Sequence, residues 1–271
     1  MKTLRLALLL GCACFNSLVA IASSPIRISL KGKEHKLLKI IILQDASVHV
    51  KGYKGNDLII TGKDDAPLKQ SNNYINISSL AVQLNNPGYS GFNPQIRENN
   101  EMIVLVLQPT DENDISIQVP EQMHFSLQFV SHLPHSELSL TNLSGELMIS
   151  ANVPSIFINN ISGPLSLNSA GINLKKVINI KNIDWDKINS GAGHVFAISA
   201  LNADVNLYLP AKLKASLNLN AIHNRVYSDL PPGQLKFDNL KNGAVAADLN
   251  GGGTKIFITS GYGNILLQKE P

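Results

Sequence analysis

The chain has 271 residues, of which 44% are hydrophobic and only 16% charged, and its formal net charge is +3 at pH 7. So sparse a charge, with no cluster of Lys and Arg interleaved with aromatics, disfavours nucleic acid as a partner. Both cysteines, Cys12 and Cys14, lie near the N-terminus; a chain cleaved beyond them has no disulfide, no Cys-ligated zinc and no thiol nucleophile.

Residues 1–22 read as a signal peptide. Lys2 and Arg5 form a basic start, residues 6–14 an apolar run, and Ala20, Ile21 and Ala22 a small-x-small cleavage site. Export to the periplasm, the outer membrane surface or the exterior is expected. A lipoprotein anchored at Cys12 is the alternative, since Leu9, Leu10, Gly11 and Cys12 resemble a lipobox. No later stretch approaches the roughly 18 apolar residues of a spanning helix. The remainder is expected to form one continuous domain, with strands and a loop excursion over 23–100 and a repeat region over 101–271.

Short alternating runs begin at once. Ile26, Ile28 and Leu30 alternate with polar residues, residues 37–43 are almost continuously apolar, and residues 47–50 and 57–61 are short strands bounded by Gly52, Gly55 and Gly62. The run Leu38, Ile40, Ile41, Ile42 and Leu43 is apolar on both faces and is expected to lie between layers. Residues 25–29, or the excursion, should then cover the end of the stack. Residues 64–100 are rich in Asn, Gly and Pro and read as that excursion, with Tyr89 and Phe92 as a candidate ligand-contacting tip.

From residue 101 the chain repeats itself. Leu140, Asn142, Leu143, Ser144, Gly145, Leu147 and Ile149 return 18 residues later as Ile158, Asn160, Ile161, Ser162, Gly163, Leu165 and Leu167. Asn182 belongs to a third version, split by residues 184–189 from Gly191 and Gly193, and Asn239 with Gly243 to a fourth. Gly261 and Gly263 end the series. Units this short cannot bury a core alone and must stack on their neighbours. The expected fold is therefore all-β, a single-stranded parallel β-helix (β-solenoid), with right-handed turns favoured. Leu140, Ile158 and Ile180 should form one inward file, and Leu143, Ile161 and Ile183 a second. The Asn, Gly and Ser residues are its corners, where left-handed or bent backbone is needed. A longer echo, at 90 residues, pairs the strand-proline step at Pro120 with that at Pro210. The C-terminal strand over 263–271 ends in Lys269, Glu270 and Pro271, which discourage addition of a further strand.

Residues 190–195, 203–210, 222–230 and 249–265 resemble a bacterial adhesin-like family of unknown function that carries degenerate Ser-Gly-x-Gly rungs. The resemblance spans roughly residues 101–269 and implies an envelope or surface β-solenoid, with no catalytic residues to carry over. The chain departs from that pattern at His194, Tyr262 and Asn264, where acidic residues often follow the rung glycines.

Candidate chemistry is thin. Asp184 and Asp186 flank the only tryptophan, Trp185; on a strand they would share a face as paired acids, although their place in an insertion argues for a loop. These three are the candidate binding residues beside Tyr89 and Phe92. His124, His132 and His135 lack the spacing and the carboxylate of a metal set, and residues 251–253 read as a tight corner, since no helix follows to complete a phosphate cradle. The basic spots at 31–36 and at Lys175 and Lys176 read as solvated. No cofactor and no metal is expected. The leading expectation is a non-catalytic surface or interaction protein whose partner is a glycan or an envelope protein. The alternatives are a carbohydrate-cleaving enzyme using Asp184 and Asp186, and a structural subunit of an envelope complex.

Overall fold

The computed structural model describes residues 25–43, 45–62, 94–108, 114–189, 196–241 and 244–270. Period-2 alternation gives each strand one apolar and one open face. The chain begins with β1 (Ile26–Ser29), β2 (Leu37–Ile42), β3 (Ser47–Tyr53) and β4 (Asp57–Gly62), followed by β5 (Gln95–Glu98), β6 (Met102–Leu107) and β7 (Asp114–Pro120). Next come β8 (Phe125–Val130), β9 (Glu137–Leu143), β10 (Leu147–Asn152), β11 (Ser155–Ile161), β12 (Leu165–Ser169) and β13 (Lys176–Ile183). A short helix α1 (Trp185–Asn189) leads to β14 (Phe196–Ala200), β15 (Ala203–Leu209), β16 (Ala215–Ala221) and β17 (Val226–Ser228). The chain closes with β18 (Leu235–Lys241), β19 (Ala244–Leu249), β20 (Thr254–Ser260) and β21 (Ile265–Lys269).

These strands form two sheets. Sheet one runs β1-β4-β7-β3-β9-β11-β13-β15-β21-β17, and sheet two runs β18-β19-β16-β20-β14-β12-β10-β8-β2-β6-β5. Each rung places one strand in each sheet, and neighbouring rungs pair in parallel, as a β-solenoid requires. The inward files are as the repeat implies. Ile158 stands in register between Leu140 and Ile180, and Ile161 between Leu143 and Ile183. All six are buried.

The stacking order departs from the chain order at both ends. The rung β2/β3 sits between β6/β7 and β8/β9, and the last rung, β20/β21, sits between β14/β15 and β16/β17. The C-terminal strand is thus an interior strand and no edge, contrary to the expectation drawn from Lys269, Glu270 and Pro271. The two steps that pass over a rung, β7 to β8 and β15 to β16, are the two strand-proline steps of the 90-residue echo. Each turns on a backbone bond back to its proline: the Met123 amide donates to Pro120 O at 2.9 Å, and that of Leu213 to Pro210 O at 3.0 Å.

Antiparallel strands occur at the ends of the stack. β1 and β4 close sheet one beyond β7, and β5 pairs antiparallel with β6 in sheet two. As expected, β2 is interior, held between β6 and β8. Glu98 of β5 takes Lys33 Nζ at 2.7 Å and Lys36 Nζ at 2.6 Å, so two lysines of the supposedly solvated basic spot clamp this cap.

The fourth version of the repeat does not form a rung. β18 and β19 fold back antiparallel within sheet two, Lys241 opposite Ala244, so Asn239 lies in a strand and not at a corner. The two residues between the paired positions are Asn242 and Gly243, the pair that most favours a two-residue hairpin turn. Both Asn242 and Gly243 lie outside the described residues.

Replacing Ile158 by Ala should cost on the order of 2–5 kcal/mol, as loss of a large side chain from a packed core does. Replacing Asn159, whose side chain faces out, should cost far less. Denaturant unfolding of the two variants reads the difference.

Candidate functional site

The two outer faces differ in charge. On sheet one, β3, β9, β13 and β15 carry Lys51, Glu137, Lys181 and Asp204 among their outward residues. On sheet two, β8, β10, β12, β14 and β16 contain no charged residue, and β20, between β14 and β16, adds one outward lysine, Lys255. One outward row there places Gln128, Ser150, Asn168, Ser199, Thr259 and Asn220 side by side across six strands. The adjacent row holds Ser126, Met148, Ser166, Ala197, Phe257 and Asn218, with Met148 and Phe257 exposed. In-register rungs recur at about 4.8 Å, so the face is a flat ladder of amides and hydroxyls with two apolar studs.

At the β2 and β8 end of this ladder lies a cleft of about 560 Å³. Ile41, Leu43 and Val130 give it an apolar side, and Gln128, Ser150, Asp45 and His132 a polar one. The His132 backbone amide donates to Asp45 Oδ1 at 2.6 Å. That bond holds the Asp45 carboxyl below its ordinary range, fixing the rim with an ionised acid beside an imidazole.

The corner residues behave as structural parts, in two distinct ways. Asn142, Asn160 and Asn182 take the left-handed conformation, with φ of 58°, 54° and 55°, which Asn tolerates better than most residues. Asn160 Nδ2 donates to Asn142 Oδ1 at 2.8 Å and Asn182 Nδ2 to Asn159 Oδ1 at 2.7 Å, an amide ladder from rung to rung. Gly145 and Gly163 serve by close approach instead. A Cβ on Gly163 would collide with the Gly145 carbonyl, and one on Gly145 with that of Met123. Gly261 and Gly263 likewise lie against the backbone of Leu201 and Ala203.

Of the candidate binding residues, Tyr89 and Phe92 lie outside the described residues, as do the corner residues Gly191 and Gly193. The insertion after β13 is a five-residue helix, not a loop. Asp184 caps it: its Oδ1 accepts from the Lys187 amide at 3.2 Å and its Oδ2 meets Lys187 Nζ at 3.0 Å. The Lys187 side chain holds the Asp184 carboxyl below its usual range. Trp185 is buried against Phe196, ring centroids 4.9 Å apart, while Asp186 is exposed. The structure therefore does not bring the two acids together around an open Trp. The histidines are spread out, His124 beside Glu146 and His132 beside Asp45, and the described residues hold no group of three potential ligands.

Sequence reasoning missed Lys176. It is fully buried, in phase with the inward Ile178 and Ile180, and its Nζ donates to Asn152 Oδ1 at 3.1 Å and to the Gly171 carbonyl. The alternation of β13 carried that signal, but pairing Lys176 with the exposed Lys175 made both look solvated.

Comparison with family models finds no match, and comparison with curated proteins finds none. Among solved structures, a protein of Clostridium sporogenes described as a "putative cell adhesion protein" is similar at 11% identity and a TM-score of 0.38, over 91% of this chain and 98% of that one. At that score the likeness carries no argument about this chain. No described helix is long and apolar enough to cross a membrane.

Burial lowers the Lys176 pKa from its ordinary 10.5. Below the folded value both states are charged and the cost of burying the charge is fully present. As pH rises from there towards 10.5, only the unfolded state keeps the proton, so stability rises. Unfolding measured along an alkaline series should show wild type gaining stability relative to Lys176→Met, and a constant difference would contradict this assignment.

Proposed function

We propose that the protein is an exported, non-catalytic contact module, and that the outer face of sheet two is its working surface, laid against a neutral polysaccharide. The observation that carries this reading is the scarcity of charge on six adjacent strands of one sheet, where Lys255 alone is charged, beside the charged outer face of the other. A neutral chain of sugars offers hydroxyls that both donate and accept, which the row from Gln128 to Asn220 matches. Its apolar C–H faces suit Met148, Phe257 and the Leu43 and Val130 side of the cleft. A charged ligand would find almost no counter-charge there. The non-catalytic part of the proposal is supported by Asp184, which is tied to Lys187 and held ionised, whereas a general acid needs a raised pKa. Export is supported by residues 1–22.

The test is a panel of neutral and anionic polysaccharides, assayed for both binding and chain cleavage. Binding to a neutral member should persist as salt is raised, because little of it is electrostatic. It should fall at least several-fold in a variant combining Gln128→Ala, Asn168→Ala and Phe257→Ala. Release of reducing ends that Asp186→Asn abolishes would establish the enzyme reading instead. Capture of an envelope protein with no glycan affinity would favour the subunit reading.

A further inference from the structure

The two sheets end in four edge strands among the described residues: β1 and β17 in sheet one, β5 and β18 in sheet two. Natural proteins blunt such edges by keeping them short or by charging them. β1 and β5 have four residues each and β17 has three, but β18 has seven. β18 also carries an exposed Phe237, half of its surface open. This ring stands in register with the buried Ala247 of β19, on the face that continues the core. Sheet one stops at β17 while sheet two runs on through β19 to β18, so the opposite sheet leaves this end uncovered.

The charges on β18 fit one partner. Lys236 and Asp238 flank Phe237, both are exposed, and neither is in an ion pair among the described residues. A bulge falls between Phe237 and Asn239, which leaves Asp238 without a partner in β19. A row of lysines would repel its own copy, whereas this doublet is self-complementary. In an antiparallel pair centred on Phe237, each Lys236 stands opposite the other chain's Asp238, and the two rings stand opposite each other.

We infer that β18 pairs antiparallel with β18 of a second copy, forming a twofold-symmetric dimer through sheet two. The symmetry has a functional consequence. A twofold axis relating antiparallel strands of one sheet is normal to that sheet, so both copies present the same outer face to the same side. The ladders of the two chains then lie on one side of the dimer, separated by β19 and β18 of each copy, and a long ligand can engage both, with the gain in avidity that linked sites give. The pairing itself does not depend on what the ladder binds.

The test uses the chain without residues 1–22 and reads mass by light scattering and sedimentation. Wild type should have twice the monomer mass. Lys236→Asp and Asp238→Lys, each of which sets like charges opposite one another, should each sediment as monomers with wild-type circular dichroism. Mixed in equal amounts they should form a heterodimer, because each now complements the other; a misfolded variant could not give that rescue. A monomeric wild type, undiminished association of either variant, or a mixture of folded variants that stays monomeric would overturn the inference.

Discussion

A stack of two-strand rungs keeps its core only if the backbone can pass from one sheet to the other without moving any inward side chain out of file. That constraint falls on a few corner residues. After β9 and β11 the crossing takes three residues, 144–146 and 162–164, and a left-handed Asn at position 142 or 160 reverses the chain without adding length. The corner backbones then bond to their neighbours. Ser162 donates to the Leu143 carbonyl at 2.9 Å and Asp184 to that of Ile161 at 2.8 Å. The approach is so close that only glycine fits at 145 and 163. Leu140 and Ile158 can be buried in one file because these corners are short and alike.

Where the corner differs, so does the stacking. The crossings after Pro120 and Pro210 use four and five residues, 121–124 and 211–214 with Pro210 itself. Both carry the chain past the adjacent slot to the one beyond. Such a step spans about two rung spacings of 4.8 Å each, which a three-residue corner with a left-handed turn does not supply. The skipped slots are filled by β2/β3 at one end and β20/β21 at the other, so neither the first nor the last parallel rung in sequence is left at an end of the stack. Three of the four sheet ends are given to antiparallel strands: β4 and β1 beyond β7, β5 beside β6, and β19 and β18 beyond β16. At the β18 end that closure leaves a long edge and an open ring.

The sequence made the corners and files legible because alternation and an 18-residue period constrain the residues along β9 to β12. It did not make the stacking order legible, since any apolar rung in the right register can pair with any other. Nothing local in Ile256 or Ile258 marks β20 as the neighbour of β14. The likeness of residues 237–247 to a rung concealed the antiparallel pairing of β18 with β19. Lys176 was misjudged for the opposite reason, its charge outweighing its phase within the strand. Of the aromatic and acidic residues that attract attention in the sequence, Trp185 proved to be a packing group and Asp184 a capping group. The uncharged row from Gln128 to Asn220 emerges only when six strands from distant parts of the chain are laid side by side.

The stacking order is tested most directly by cysteine crosslinking, on a background from which cleavage after Ala22 would remove both native cysteines. Ser199 stands beside Thr259 in the neighbouring strand β20, and Asn220 lies one strand further on. Under mild oxidation, a chain carrying Ser199→Cys with Thr259→Cys should crosslink readily, and one carrying Ser199→Cys with Asn220→Cys should not. Efficient crosslinking of the second pair and none of the first would mean that the rungs stack in chain order, and would contradict the inserted last rung.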